Sequence, residues 1–109
     1  MNWTASGLAV VVVGGALLLG SNGARAQAAA ALYKSKCAAC HGPDGKGETA
    51  MGKANKLRDL GSVEVQKQSD DELTALITSG KAKMPAYGKS LKPDQIRDLV
   101  TYIRSFAKK

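Results

Sequence analysis

The chain is 109 residues long, carries a formal net charge of +7 and contains two cysteines and one histidine. That length provides for one small domain rather than several, and so few soft ligands cannot complete an ordinary four-ligand zinc site. Aromatic residues are only 5% of the chain, a thin stock for a small core, which commonly needs a staple or a cofactor.

The first segment is apolar from Gly7 to Leu19 and leads to Ala24-Arg25-Ala26, a small-x-small cleavage pattern. It falls short of the roughly eighteen apolar residues of a membrane-crossing helix and is interrupted by Gly14 and Gly15. Residues 1–26 are therefore expected to be a secretory signal peptide cleaved after Ala26, and residues 27–109 the mature domain. Met1 to Ser6 contain no Lys or Arg, which leaves an uncleaved N-terminal anchor as the alternative. Nothing after Ala26 is apolar for long enough to cross a membrane, so the mature chain is expected to be soluble and periplasmic.

From Ala28 to about Cys40 the sequence is rich in alanine and predicts a helix. Ala29, Leu32 and Tyr33 form its apolar stripe, and it runs directly into Cys37-Ala38-Ala39-Cys40-His41. Positions three and four apart share a helical face, so Cys37, Cys40 and His41 project the same way. Their order is that of covalent haem attachment, with two thiols for the vinyl groups on one edge of the ring and an imidazole for the iron. A thioredoxin-like redox pair needs an alternating strand and helix pattern that is not found. A disulfide between these cysteines would close a tiny loop and add little constraint. Export supplies a further reason, since thiols outside the cytoplasm tend to oxidise unless they are otherwise engaged.

Residues 42–67 are rich in glycine and poor in periodicity. A loop that long suits a domain whose chain wraps a cofactor, and Leu57, Leu60, Val63 and Val65 are expected against the ring. A short helix is predicted across Ala50 to Leu60. Ser69-Asp70-Asp71-Glu72 reads as a capping box with acids in the first turn. Leu73, Leu76 and Ile77 mark the buried face that follows, and Gly80 stops the helix.

Met84 precedes Pro85, which biases it to an extended backbone. A thioether opposite an imidazole is a pairing used by electron-transfer haems and raises their potential; a methionine can also simply fill a gap in a core. Met51 is the other methionine of the mature chain. Pro93 opens the last helix at its first position, with Ile96, Leu99, Val100, Ile103, Phe106 and Ala107 at helical spacing. This helix is expected to cross the first one at Ala29, with Tyr33 beside Leu99 or Tyr102.

On Cys37-Ala38-Ala39-Cys40-His41-Gly42, Met84-Pro85-Ala86-Tyr87, Tyr33, Leu99 and Tyr102, residues 28–107 resemble a small bacterial monohaem class I c-type cytochrome. The resemblance implies an all-α fold of three to four helices and loops wrapped around one covalent haem. It implies Cys37 and Cys40 as thioether links, His41 as proximal ligand and Met84 as distal ligand to the iron of haem c. It also implies that the Pro43 carbonyl accepts a hydrogen bond from His41 Nδ1. Two positions depart from the pattern: Ala29 stands where the family often has glycine, and no tryptophan follows Ala26 to meet the haem propionates.

With both axial positions filled by protein, the iron is expected only to exchange single electrons, so the chain is expected to be an electron carrier and not an enzyme. Lys34, Lys36, Lys46, Lys53, Lys56, Lys81, Lys83 and Lys89 flank the ligand-bearing segments. They are expected to steer a monomeric carrier to acidic docking surfaces on redox partner proteins, with salt weakening the attraction. Nucleic acid is not an expected partner. The alternative is a haem c subunit of a dehydrogenase or oxidase complex, or a weak peroxidase if Met84 dissociates.

Overall fold

The structure, a computed structural model, describes residues 7–11, 14 and 21–108. Among them are three longer helices, α1 (Ser21–Lys36), α5 (Asp70–Ser79) and α6 (Pro93–Arg104). Three short ones, α2 (Ala38–His41), α3 (Ala50–Ala54) and α4 (Val63–Gln66), lie in the connections, and the described residues form no strand. The fold is all-α. Among the described residues no helix is long and apolar enough to cross a membrane.

Helix α6 is the hub, packing on α1 and on α5. Its buried face is Ile96, Leu99, Val100 and Ile103, the stripe that helical spacing predicts. Ala29 and Tyr33 of α1 are buried against it. Tyr33 meets Tyr102 and Phe106 at ring-centroid separations of 5.0 and 5.3 Å, and those two meet edge-on at 5.3 Å. Such tilted contacts are favoured by the ring quadrupoles, so three of the four aromatic residues after residue 26 are spent on one helix crossing.

Helix α1 begins earlier than its apolar stripe predicts and ends earlier too. It runs through residue 26, where Arg25 Nη2 pairs with Asp98 Oδ1 at 3.1 Å, and it breaks at Cys37, whose N–H still bonds the Tyr33 carbonyl at 2.8 Å. Helix α5 starts as its capping box requires: Ser69 Oγ accepts from the Glu72 N–H at 3.0 Å. It stops at Gly80, with φ +71°. At α6, Lys92 has no side-chain acceptor to offer, and Gln95 Oε1 accepts from the Lys92 N–H at 2.8 Å instead.

Two features of the fold carry no signal in local sequence. Arg104 donates to the Gln66 carbonyl at 2.9 Å, the Gln68 carbonyl at 2.6 Å and Asp70 Oδ1 at 2.8 Å, while Gln66 Nε2 donates to the carbonyls of Leu60 and Ile103. This network ties residues 60–70 to the end of α6. At the other margin Asp59 accepts from the Gly61 N–H at 2.8 Å and pairs with Lys108 at 3.1 Å.

The Gly61 hydrogen bond, helped by Lys108, holds the Asp59 carboxyl below its ordinary range. A carboxyl depressed on folding stabilises the domain above its unfolded pKa of about 3.9 and loses that contribution as pH falls through its folded value. Asp59→Asn should therefore be less stable than the parent at neutral pH, and the difference should shrink in acid. Urea midpoints measured from pH 7 down to pH 3 check this; a constant difference counts against it.

Candidate functional site

The C-x-x-C-H turn is held from both sides by backbone. The N–H of His41 bonds the Cys37 carbonyl at 2.9 Å, and the His41 carbonyl accepts from the Gly47 N–H at 2.7 Å. Thr49 Oγ1 donates to the Cys40 carbonyl at 2.6 Å while accepting from the Gly52 N–H at 2.8 Å. A Cβ on Gly52 would fall 2.2 Å from the Gly47 carbonyl oxygen and 2.7 Å from that of Cys40, so only glycine lets α3 approach the motif this closely. Gly42, with φ +81°, turns the chain away after His41, and its carbonyl accepts from the buried Tyr33 hydroxyl at 2.6 Å.

Cys37 and His41 open onto a cavity of about 340 Å³ whose lining also includes Met84. The junction of α1 and α2 thus meets the loop after α5 across one space. Its walls are largely apolar: Leu57, Leu60 and Val65 from the long connection, Leu73, Leu76 and Ile77 from α5, and Leu99 and Ile103 from α6. Size and lining suit one flat apolar ligand.

Met84 is half-buried and its loop is a closed turn. The Lys81 and Met84 N–H groups bond each other's carbonyls at 3.1 and 2.9 Å. Gly80 carries the turn back onto itself, for a Cβ there would lie 2.6 Å from the Met84 carbonyl oxygen. The Tyr87 and Gly88 N–H groups then return the chain to the end of α5, bonding the carbonyls of Ile77 and Thr78 at 3.0 Å, and the Tyr87 hydroxyl donates to the Lys36 carbonyl at 3.0 Å.

The electrostatics of the site fit metal ligation better than thiol chemistry. Burial, with a smaller contribution from Cys40, pushes the Cys37 thiol up to about 11, the opposite of the depressed pKa that makes a redox cysteine reactive. The two cysteines are not joined to each other in a disulfide. Burial lowers the His41 pKa, so its imidazole is neutral at pH 7 and keeps a lone pair for a metal. His41 Nδ1 is buried without a hydrogen-bond partner, so the expected bond to the Pro43 carbonyl is not made here.

Of the residues expected against the ring, Leu57, Leu60 and Val65 line the cavity. Val63 does not. It is 81% exposed because it opens the one-turn helix α4, capped by Ser62, and that turn directs Val65 inward instead. The helix expected across Ala50 to Leu60 ends at Ala54, since Lys56 takes a left-handed φ of +54°. Met51 is 52% exposed on α3 and is not part of the lining. Local reasoning left Tyr33 in the helix crossing alone, yet it also lines the cavity; its place four residues before Cys37, on the same helical face, is the signal that could have found it.

An apolar slot lined by a neutral imidazole with an unpaired ring nitrogen, a protonated thiol and a thioether fits a haem, and the fold and site together define a small monohaem class I c-type cytochrome. The comparisons with known proteins agree. The family model described as "Cytochrome C oxidase, cbb3-type, subunit III" matches residues 24–103, and the chain belongs to that family of c-type cytochrome domains. It is 40% identical over 85 residues to the Cbb3-type cytochrome c oxidase subunit CcoP of Rubrivivax gelatinosus, an alignment that covers 74% of this chain and 27% of that protein. It is 36% identical over 81 residues to cytochrome c6 of Gloeothece citriformis, covering 72% of this chain and 68% of that one. For cytochrome c6 of Leptolyngbya boryana the identity is 31% and the coverage 79% and 98%. Among solved structures, the KustC0563 c-type cytochrome superposes with a TM-score of 0.69 at 32% identity, covering 73% of this chain and 98% of that one. The domain therefore binds haem c covalently, and its business is electron transport with redox partners.

Proposed function

We propose that the chain is a periplasmic carrier that shuttles single electrons, with residues 1–26 removed as an export signal. Cys37 and Cys40 hold the haem through thioethers, and His41 and Met84 are its axial ligands. The observation that carries this reading is the one cavity lined by Cys37 and His41 of the C-x-x-C-H turn, though not by Cys40, and by Met84 of the loop after α5. When bound, haem supplies a one-electron ferric/ferrous couple.

The protein's part in the reaction is positional. His41 offers a neutral imidazole, Met84 a soft sulfur on a turn closed by its own backbone bonds, and neither group needs to move when an electron arrives. Leu73, Ile77, Leu99 and Ile103 keep water from the ring, and such burial favours the less charged ferrous state. Lys34, Lys36, Lys46, Lys53, Lys56, Lys81, Lys83 and Lys89 are all exposed. They give a monomeric carrier a basic surface that attracts acidic docking sites and loses that attraction with salt.

A second reading has specific support. The family model and the CcoP relative favour a haem c subunit of an oxidase complex. One preparation tests both, made with haem-attachment machinery present and examined by mass spectrometry and a reduced-minus-oxidised spectrum. The expected result is one haem added to residues 27–109, eluting as a monomer. Apopeptide mass alone would overturn the cofactor assignment, and stable co-elution with a membrane oxidase would replace the free carrier by the subunit.

A further inference from the structure

A hydrogen-bond network outside the haem cavity holds the cavity's wall by its backbone. Gln66 Nε2 donates to the carbonyls of Leu60 at 2.8 Å and Ile103 at 3.0 Å, and Arg104 Nη2 donates to the Gln68 carbonyl at 2.6 Å. Leu60, Gln68 and Ile103 all line the cavity, as does Val65 beside Gln66, while Gln66 and Arg104 themselves do not. The two outer residues are joined, since Arg104 Nη1 donates to the Gln66 carbonyl at 2.9 Å. Both are half-buried.

The segment so held has one regular element of its own, the single turn α4, and so short a helix does not stand by itself. One apolar side chain of that turn, Val65, is buried. A guanidinium is a rigid planar fork that binds several acceptors at once. Here it spans the carbonyls on both sides of Lys67 and the Asp70 carboxylate at the start of α5, so residues 66–70 are tied to the end of α6. Stability alone would call only for the ion pair, and the Asp70 side chain is 76% exposed, where such a pair contributes little. The bonds to carbonyls are the ones that place backbone, and they fall on residues that line the cavity.

We propose that Arg104 and Gln66 are positioning residues for electron transfer: from outside the cavity they fix the wall formed by Leu60, Val65 and Gln68, keep water from that side of the haem and so hold its potential up. This rests on the haem reading above. Water admitted through a loosened wall favours the more charged ferric state and lowers the potential.

The test is the midpoint potential of haem-loaded protein, measured by spectroelectrochemistry, together with amide hydrogen exchange over residues 57–70 read by mass spectrometry. The forms compared are the parent, Gln66→Leu, Arg104→Lys, Arg104→Gln and two controls, Arg97→Gln and Ala29→Gly. Gln66→Leu and Arg104→Lys keep the net charge, so a change of potential in them is not an effect of charge. In both, exchange over the segment should quicken by about tenfold or more and the potential should fall, with the sulfur-to-iron band kept. Arg104→Gln should fall further than Arg104→Lys. Arg97→Gln removes a cation from the exposed face of α6 and reads the effect of charge alone. Ala29→Gly weakens the helix crossing away from the cavity lining and reads the effect of lower stability alone. Both controls should keep the parent potential. The parent potential in Gln66→Leu and Arg104→Lys, on protein whose spectrum confirms bound haem, overturns the proposal alone, whether or not stability falls. An equal fall in Ala29→Gly overturns it too. If Gln66→Leu does not fold, Arg104→Lys decides. A parent chain that carries no haem after maturation overturns the haem reading and this assignment together.

Discussion

Met84→Ala should keep the haem and lose the sulfur. The expected result is an unchanged haem content with the sulfur-to-iron charge-transfer band gone. The midpoint potential should fall by at least about a tenth of the roughly 0.8 V that axial ligands span, because a thioether opposite imidazole raises the potential. The fold should survive, since the turn is closed by the backbone bonds between Lys81 and Met84 and by the approach of Gly80, none of which uses the Met84 side chain. The variant should also bind added imidazole quickly where the parent resists. Spectra of oxidised protein with and without imidazole make the measurement. Persistence of the band would move the sulfur to another methionine, and exposed Met51 lies outside the cavity lining.

Tyr33→Ala should be the most damaging single change to stability. Tyr33 is 2% exposed and meets the rings of Tyr102 and Phe106 on the α6 side, lines the cavity and donates to the Gly42 carbonyl just after the haem motif. Truncating a buried aromatic costs about 3–5 kcal/mol, a large share of the 5–15 kcal/mol that is typical of a whole domain. Tyr33→Phe separates the two contributions. It keeps the ring but removes one of two hydrogen bonds to the Gly42 carbonyl, which still accepts from the Gly45 N–H at 3.1 Å, at about 0.5–1.5 kcal/mol. Burial, with smaller contributions from Cys37 and Tyr102, pushes the Tyr33 hydroxyl pKa up, so the donor stays protonated throughout the usual pH range. Denaturant midpoints of the haem-loaded variants test the order; a Phe variant as weak as the Ala variant would place the whole effect in the hydrogen bond.

Legibility from sequence differed by region, and the differences have physical causes. Helices α5 and α6 were readable because their signals are local: a serine cap with its glutamate, Pro93 at the first position, and apolar residues every three or four places. The haem motif was readable because its spacing within one turn is itself the chemistry. The connection from 42 to 67 was not, because its conformation answers to distant partners. Val63 looks as fit for the core as Val65, and only the Ser62 cap and the one-turn helix decide between them. Nothing near Arg104 announces that its guanidinium will close the loop at 66–70, more than thirty residues earlier in the chain.

By itself the sequence determined which atoms the domain offers to a haem: two thiols and an imidazole within five residues, and a methionine held against a proline. Those are matters of covalent order and local backbone preference, which need no fold to be read. Tertiary structure alone decided that Cys37, His41 and Met84 share one cavity, that Tyr33 joins its wall and that Lys56 and Arg58 line it while no carboxylate does. These depend on which surfaces meet when α1 and α5 close on α6, and burial of apolar area, the force behind that closure, is set by the whole chain and by no single stretch of it.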